Sequence, residues 1–277
     1  MPAGKPAKPA DTMAGMDEVR FGEAPRAIVL AAGKGSRLAA SVDGLPKPAV
    51  PLNGRPLIVY TLEALAGAGF PEAYVVLGYS AHLVEKALQG PLPLAVRFLY
   101  NLEYDGPAGH SLAAARRACG DEPFLLVMAD HLLSVELVRT LLERAEFAPP
   151  GSCVVAADFH PRAAAYAAEA TKLRIAPTPP GTRLLPVLAI GKEVTPADAL
   201  DAGAFLCSPV VWEALDELGS GCELNALFAR LAERGKLYAA DVSGSFWYDV
   251  DTDDDLAAAA ALLRGEQALA PAPGGRP

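Results

Sequence analysis

The chain has 277 residues, a formal net charge of −9, and 52% of its residues among Ala, Val, Ile, Leu, Met, Phe, Trp, Tyr and Cys. That is ample material for the core of one large domain or two small ones, and it excludes a wholly disordered chain. With a mean hydropathy of +0.22 and a pI near 5.0, and with every apolar stretch broken by Gly, Pro or charge before about 18 residues, neither a membrane span nor a nucleic-acid surface is expected.

The first 22 residues, rich in Pro, Ala, Gly and Lys, read as a disordered arm, and 271–277 as a disordered tail. The arm has no apolar segment of the kind a secretory signal needs. Residues 23–270 read as one domain. Arg26–Ala32 is a near-continuous apolar strand, followed by a helix over Leu57–Gly69, a strand over Ala73–Gly78 and a helix over His82–Gln89. Leu94–Asn101 is a strand, Ser111–Cys119 a helix, Phe124–Ala129 a strand and Val135–Ala145 a helix. Continuous apolar runs alternating with helices predict buried parallel strands in a doubly wound α/β sheet.

The pattern changes after residue 150. Cys153–Ala157, Lys172–Ile175, Arg183–Ile190 and Ala202–Leu206 are strand-like, and helices follow at Val211–Leu218 and Leu224–Arg234. Strands at Leu237–Val242 and Phe246–Val250 precede an Ala-rich helix from Asp254. This mixed β/α half is expected to cover the open end of the sheet. Cys119, Cys153, Cys207 and Cys222 form no C-x-x-C pair, which fits a reducing, cytoplasmic setting rather than a disulfide or zinc scaffold.

The sharpest motif is Leu30-Ala-Ala32-Gly33-Lys34-Gly35-Ser36-Arg37-Leu38, straight after the first strand. Glycines there let successive backbone N–H groups converge on an anion. The Walker pattern fails because Gly33-Lys34 is followed by Gly35, and the dinucleotide fingerprint fails at its third glycine, where Leu38 stands. A plain glycine turn leaves Ser36, Arg37 and the later Pro46-Lys47 without a reason.

Asp130 ends an apolar strand, where open α/β sheets place ligands, and it suits Mg²⁺ or else caps the next helix. His131 beside it reads as structural. Asp249 and Asp251 project to one side of an extended chain and can share a cation, while Thr252 caps a helix whose first turn holds Asp253, Asp254 and Asp255. Gly109-His110-Ser111 has the look of a hydrolase nucleophile elbow, but a loop rather than a strand precedes it. Ser111 at a helix start suits a base or phosphate, or serves only as a cap.

Together these segments resemble the sugar-nucleotidyltransferase superfamily, and within it they are similar to the inositol-1-phosphate cytidylyltransferase group. The likeness rests on LAAGKGSRL, PKPAVPLNGRPLIVYTLEAL, GHSLAAA, LLVMADH, EATKLRI, DAGAFL and FWYDVDTDDDLAAA, in that order between Ala27 and Leu263. It implies a Rossmann-like mixed, mostly parallel sheet flanked by helices, and Mg²⁺-dependent transfer of CMP from CTP to inositol 1-phosphate. Leu30, Ala32, Gly33, Lys34, Gly35, Ser36, Arg37, Lys47, Gly109 and Ser111 would then bind the nucleotide, with Arg37, Lys47 and Asp130 catalytic. Glu169, Lys172 and Asp201 would hold the acceptor, and Asp130, Asp249 and Asp251 the metal. Ala108 and Ala202 stand where the group usually has Asn and Thr. In the group, CDP-inositol feeds a CDP-alcohol phosphotransferase, often fused as a membrane domain, and this chain resembles the cytidylyltransferase half. Another acceptor, phosphocholine or a sugar 1-phosphate, and a non-catalytic nucleotide-binding regulator are the alternatives. A choline cage would draw on Trp247 and Tyr248.

Overall fold

In the computed structural model, residues 25–35, 38, 44–161 and 170–265 are described. Ser36, Arg37, Glu169, the arm and the tail lie outside them. The described residues form thirteen strands and seven α-helices. In chain order the first half contains β1 (Arg26–Ala31), a 3₁₀ turn (Lys47–Ala49), the hairpin β2 (Pro51–Leu52) and β3 (Arg55–Pro56), and α1 (Leu57–Gly67). It continues with β4 (Glu72–Leu77), α2 (Ala81–Ala87), β5 (Ala95–Tyr100), α3 (Gly109–Cys119), β6 (Phe124–Met128), β7 (His131–Leu133) and α4 (Val135–Ala145). The second half contains β8 (Cys153–Asp158), β9 (Lys172–Ile175), β10 (Leu185–Gly191), β11 (Ala199–Cys207), α5 (Val210–Leu218), α6 (Leu224–Glu233), β12 (Leu237–Asp241), β13 (Trp247–Asp249) and α7 (Asp253–Leu263).

Nine strands make one mixed sheet in the order β5-β4-β1-β6-β11-β8-β12-β10-β9. Pairing is parallel from β5 to β6, as the apolar runs predict. β11 then enters antiparallel to β6 and β8, and β12 returns parallel to β8. β9 pairs with β10 and also back with β11. The second half therefore covers the site by continuing and curling the same sheet.

Alternation along β1 explains the two cores. Ala27, Val29 and Ala31 pack with Ile58, Leu62 and Leu65 of α1 and Leu137 and Leu141 of α4 on one face. Ile28 and Leu30 pack on the other face, in the cluster that holds Leu112 of α3, Val211 of α5 and Phe228 of α6. A third cluster joins Leu38, Val50, Leu52, Leu57, Leu132, Tyr248, Val250 and Ala259. It fastens the glycine loop, the β2–β3 hairpin, β7, β13 and α7 into one unit at the carboxyl end of the parallel strands.

Candidate active site

β1 and β6 are parallel neighbours, with Leu30 opposite Met128, and the Ala129 N–H donates to the Leu30 carbonyl at 3.0 Å. Gly33 and Asp130 thus leave adjacent strands side by side. Gly35 has φ +59°, and a Cβ there would stand 2.5 Å from the Lys47 Cβ. The glycine lets the buried Lys47 lie directly against the loop. These groups, with Asp251, line a cavity of about 240 Å³.

Lys47 is the electrostatic centre. Its Nζ stands 2.7 Å from Asp130 Oδ2, 2.7 Å from Asp251 Oδ1 and 4.0 Å from Asp249 Oδ1. Burial works against its charge, but the carboxylates outweigh that and raise its pKa. Burial likewise works against the Asp130 carboxylate, yet Lys47 and His131 hold its carboxyl well below the usual range. Burial raises Asp249 despite the opposing pull of His131 and Lys47. Asp249 is delivered by β13, which pairs antiparallel to β7 with Asp249 opposite His131. Asp251 is fixed by the start of α7. Thr252 caps that helix through Asp255 N–H at 3.2 Å, and Asp255 Oδ2 accepts the N–H groups of Asp251 and Thr252. The expected cap and acidic first turn are thus in place.

A larger cavity of about 510 Å³ adjoins this wall. Asp249 and Asp251 line one side, and Thr171, Lys192, Asp201, Asn225, Phe228 and Trp247 are among the residues that complete it. Asp251 lines both cavities. Asp201 Oδ1 accepts the Gly203 N–H at 2.8 Å, while burial pushes its carboxyl up to about 7. Asn225 Nδ2 donates to Thr171 Oγ1 at 3.3 Å.

Several expectations need correcting or narrowing. His131 is no bystander: its Nδ1 stands 3.1 Å from Asp130 Oδ1 and 3.8 Å from Asp249 Oδ1, and its side chain lines the larger cavity. α3 begins at Gly109, so Ser111 is not a cap. It is buried, and its Oγ accepts from Asn101 Nδ2 at 3.0 Å. Gly109 donates its N–H to the Cys222 carbonyl at 3.0 Å, and neither Gly109 nor Ser111 lines the two cavities. Ala32 is buried with its carbonyl taken by the Tyr79 N–H, whereas Leu30 lines the smaller cavity. Lys34 pairs with Asp105 and does not line the smaller cavity. Lys172 does not line the larger cavity; its Nζ donates to the Lys192 carbonyl at 2.9 Å, one residue from Thr171, which does. Tyr248 is buried in the third core, so of the two aromatics weighed for a cage only Trp247 faces the cavity. Thr171, Lys192 and Asn225 escaped notice because single polar residues in strand ends and helix starts carry no spacing signal. His131 had one, its place directly after the strand-end Asp130.

The donor set fits a divalent cation. Carboxylate oxygens of Asp130 and Asp249 lie within 4.8 Å of each other, beside the His131 ring, and the buried Asp249 Oδ1 has no hydrogen-bond partner among the described residues. Clustered carboxylate oxygens are what Mg²⁺ takes.

A family described as the MobA-like NTP transferase domain matches residues 27–218. The bifunctional IPC transferase and DIPP synthase of Rubrobacter xylanophilus is 37% identical over 245 residues, 86% of this chain and 52% of that protein. The Archaeoglobus fulgidus protein of the same name is 29% identical, over 83% of this chain and 42% of its own length. The catalytic subunit beta of mannose-1-phosphate guanylyltransferase from Drosophila pseudoobscura is 25% identical, over 88% of this chain and 63% of its own. The chain thus spans about half the length of the curated relatives it matches. Among solved structures, the inositol-1-phosphate CTP transferase of T. maritima superposes with a TM-score of 0.72 at 21% identity, covering 88% of this chain and 97% of that one. That likeness shows the fold.

Proposed function

We propose that this chain, which belongs to the MobA-like NTP transferase family, transfers CMP from CTP to inositol 1-phosphate, giving CDP-inositol and pyrophosphate. The observation that carries the reading is the shared wall: Asp251 lines both the glycine-loop cavity and the larger cavity, with Lys47, Asp130 and Asp249 grouped beside it. A reaction between two phosphate-bearing substrates needs such an arrangement, with one site on each side of a charge-neutralising centre. The names of the relatives and of the T. maritima structure supply the nucleotide and the acceptor.

The triphosphate lies on the Gly33–Ser36 backbone, with Arg37 and Lys47 countering its charge. Lys172 turns from the Lys192 carbonyl beside the larger cavity to hold the acceptor's phosphate end, and Glu169 and Asp201 bind its hydroxyls. An acceptor phosphate oxygen bonds to the α-phosphorus of CTP as the bond to the pyrophosphate oxygen breaks in line. The monoester's second pKa is about 6, so the nucleophile is already anionic and needs no general base. Asp130, Asp249 and Asp251 would hold Mg²⁺, which supplies Lewis-acid neutralisation of phosphate charge when bound. Lys47, which lies between Asp130 and Asp251, would counter phosphate charge from the same position. CDP-inositol would then pass to a CDP-alcohol phosphotransferase. A sugar 1-phosphate acceptor is the second reading, supported by the name of the mannose-1-phosphate guanylyltransferase relative.

The test is pyrophosphate release from each NTP against inositol 1-phosphate, mannose 1-phosphate and phosphocholine, with and without EDTA. CTP with inositol 1-phosphate should turn over fastest, and chelation should abolish the reaction until Mg²⁺ is restored. Preference for another pair reassigns the substrates. Full activity in EDTA removes the metal.

A further inference from the structure

His131 is held more tightly than packing alone requires. It opens β7 directly opposite Asp249 in the antiparallel β7–β13 ladder. Its carbonyl accepts the hydroxyl of the buried Thr61 on α1 at 3.1 Å. Its ring lies against β11 at Gly203, where φ is +79° and a Cβ would stand 2.1 Å from the ring Cδ2. A side chain on Gly203 would displace the imidazole. The ladder and α1 therefore fix the His131 backbone, β11 lies against its ring, and Nδ1 faces the carboxylates. Nδ1 stands 3.1 Å from Asp130 Oδ1 and 3.8 Å from Asp249 Oδ1. Both neighbours are acceptors, so Nδ1 carries a proton and donates. The other Asp130 oxygen, Oδ2, is turned to Lys47.

We propose that His131 is a positioning residue for nucleotidyl transfer: it ties down Asp130 Oδ1, thereby fixes the orientation of Oδ2, which meets Lys47, and depends on Gly203 for the room to do so. The inference rests on reading Asp130, Asp249 and Asp251 as a cation site, and not on which nucleotide or acceptor the enzyme takes. A donor behind a ligating carboxylate sets its rotamer before the metal arrives, and removing such outer partners typically weakens metal binding about 10–100-fold. His131 itself stays off the metal, because Mg²⁺ and Mn²⁺ prefer oxygen ligands.

The probe is Mn²⁺ alone, followed by electron paramagnetic resonance on the intact chain, with circular dichroism confirming the fold of each variant. His131→Ala should weaken Mn²⁺ at least about tenfold. His131→Asn, whose amide N–H reaches roughly where Nδ1 stands, should recover most of that loss. Gly203→Ala should reproduce the His131→Ala defect, and in the His131→Ala background its further effect should shrink to the backbone strain of a side chain at φ +79°, because the ring it would strike is gone. Spin-echo spectra of bound Mn²⁺ should show no directly bonded nitrogen. Unchanged Mn²⁺ affinity in folded His131→Ala overturns the inference while leaving the cation site standing. A directly coordinated imidazole nitrogen overturns it in favour of ligation. No Mn²⁺ binding by the unaltered protein overturns the cation site and the inference together.

Discussion

The two halves of the sheet reach the same site by different means. In the parallel half every strand ends at one edge, so topology alone gathers the glycine loop after β1 and Asp130 after β6. What that half offers the ligand is largely backbone, with Lys47 laid against Gly35. In the antiparallel half the contributions are side chains from within elements: Asp201 from inside β11, Asn225 from the first turn of α6, and Thr171 beside β9. Backbone amides suit a group shared by all nucleoside triphosphates, whereas side chains suit a hydroxyl pattern that differs between acceptors. On the proposed reading, general phosphate chemistry and acceptor choice fall on opposite sides of the line between β6 and β11.

The strongest way to break this division is at the shared wall. Asp130→Asn keeps the shape and loses the charge, so it should cost about 10²–10³ in turnover, whichever substrate is varied. Steady-state rates with each substrate in turn will check this, and a defect confined to one KM would show that the wall belongs to one half. A smaller, one-sided effect is expected at Lys172. Lys172→Ala should raise the acceptor KM or lower kcat about tenfold while CTP binding, read by calorimetry, changes little. Loss of CTP affinity instead would move Lys172 to the nucleotide side. The smallest effect sharpens the boundary from below. Thr252→Ala removes the cap that orders Asp251, and should cost about 1 kcal/mol, or a few degrees in Tm, in a thermal melt.

Much of this is legible from residues. The Lys172–Ile175 strand and the Val135–Ala145 helix stand where the apolar pattern puts them, the strand burying Leu173 and the helix burying Leu137, Val138, Leu141 and Ala145 along one face. The grouping of Lys47 with Asp130, Asp249 and Asp251 accords with the motifs. The β2–β3 hairpin and β7 are not legible, since strands of two or three residues carry no periodicity. Nor is the role of His131, which depends on Gly203, a glycine far along the chain in another strand. Ser111 misleads because its partner Asn101 lies in the loop before α3, and a side-chain pair leaves no trace in spacing.

The Lys47–Asp251 contact joins residues 204 apart in the chain. Such closure sets an order on biogenesis. The parallel strands and their helices have all left the ribosome by residue 145, and they can pack while synthesis continues. The catalytic centre cannot. Until β13 and the first turn of α7 emerge, Lys47 lacks two of its three carboxylates and the larger cavity lacks a wall. Closure of the site therefore comes last, as a property of the finished domain, and a chain cut before residue 249 would lack both late carboxylates and that wall of the larger cavity.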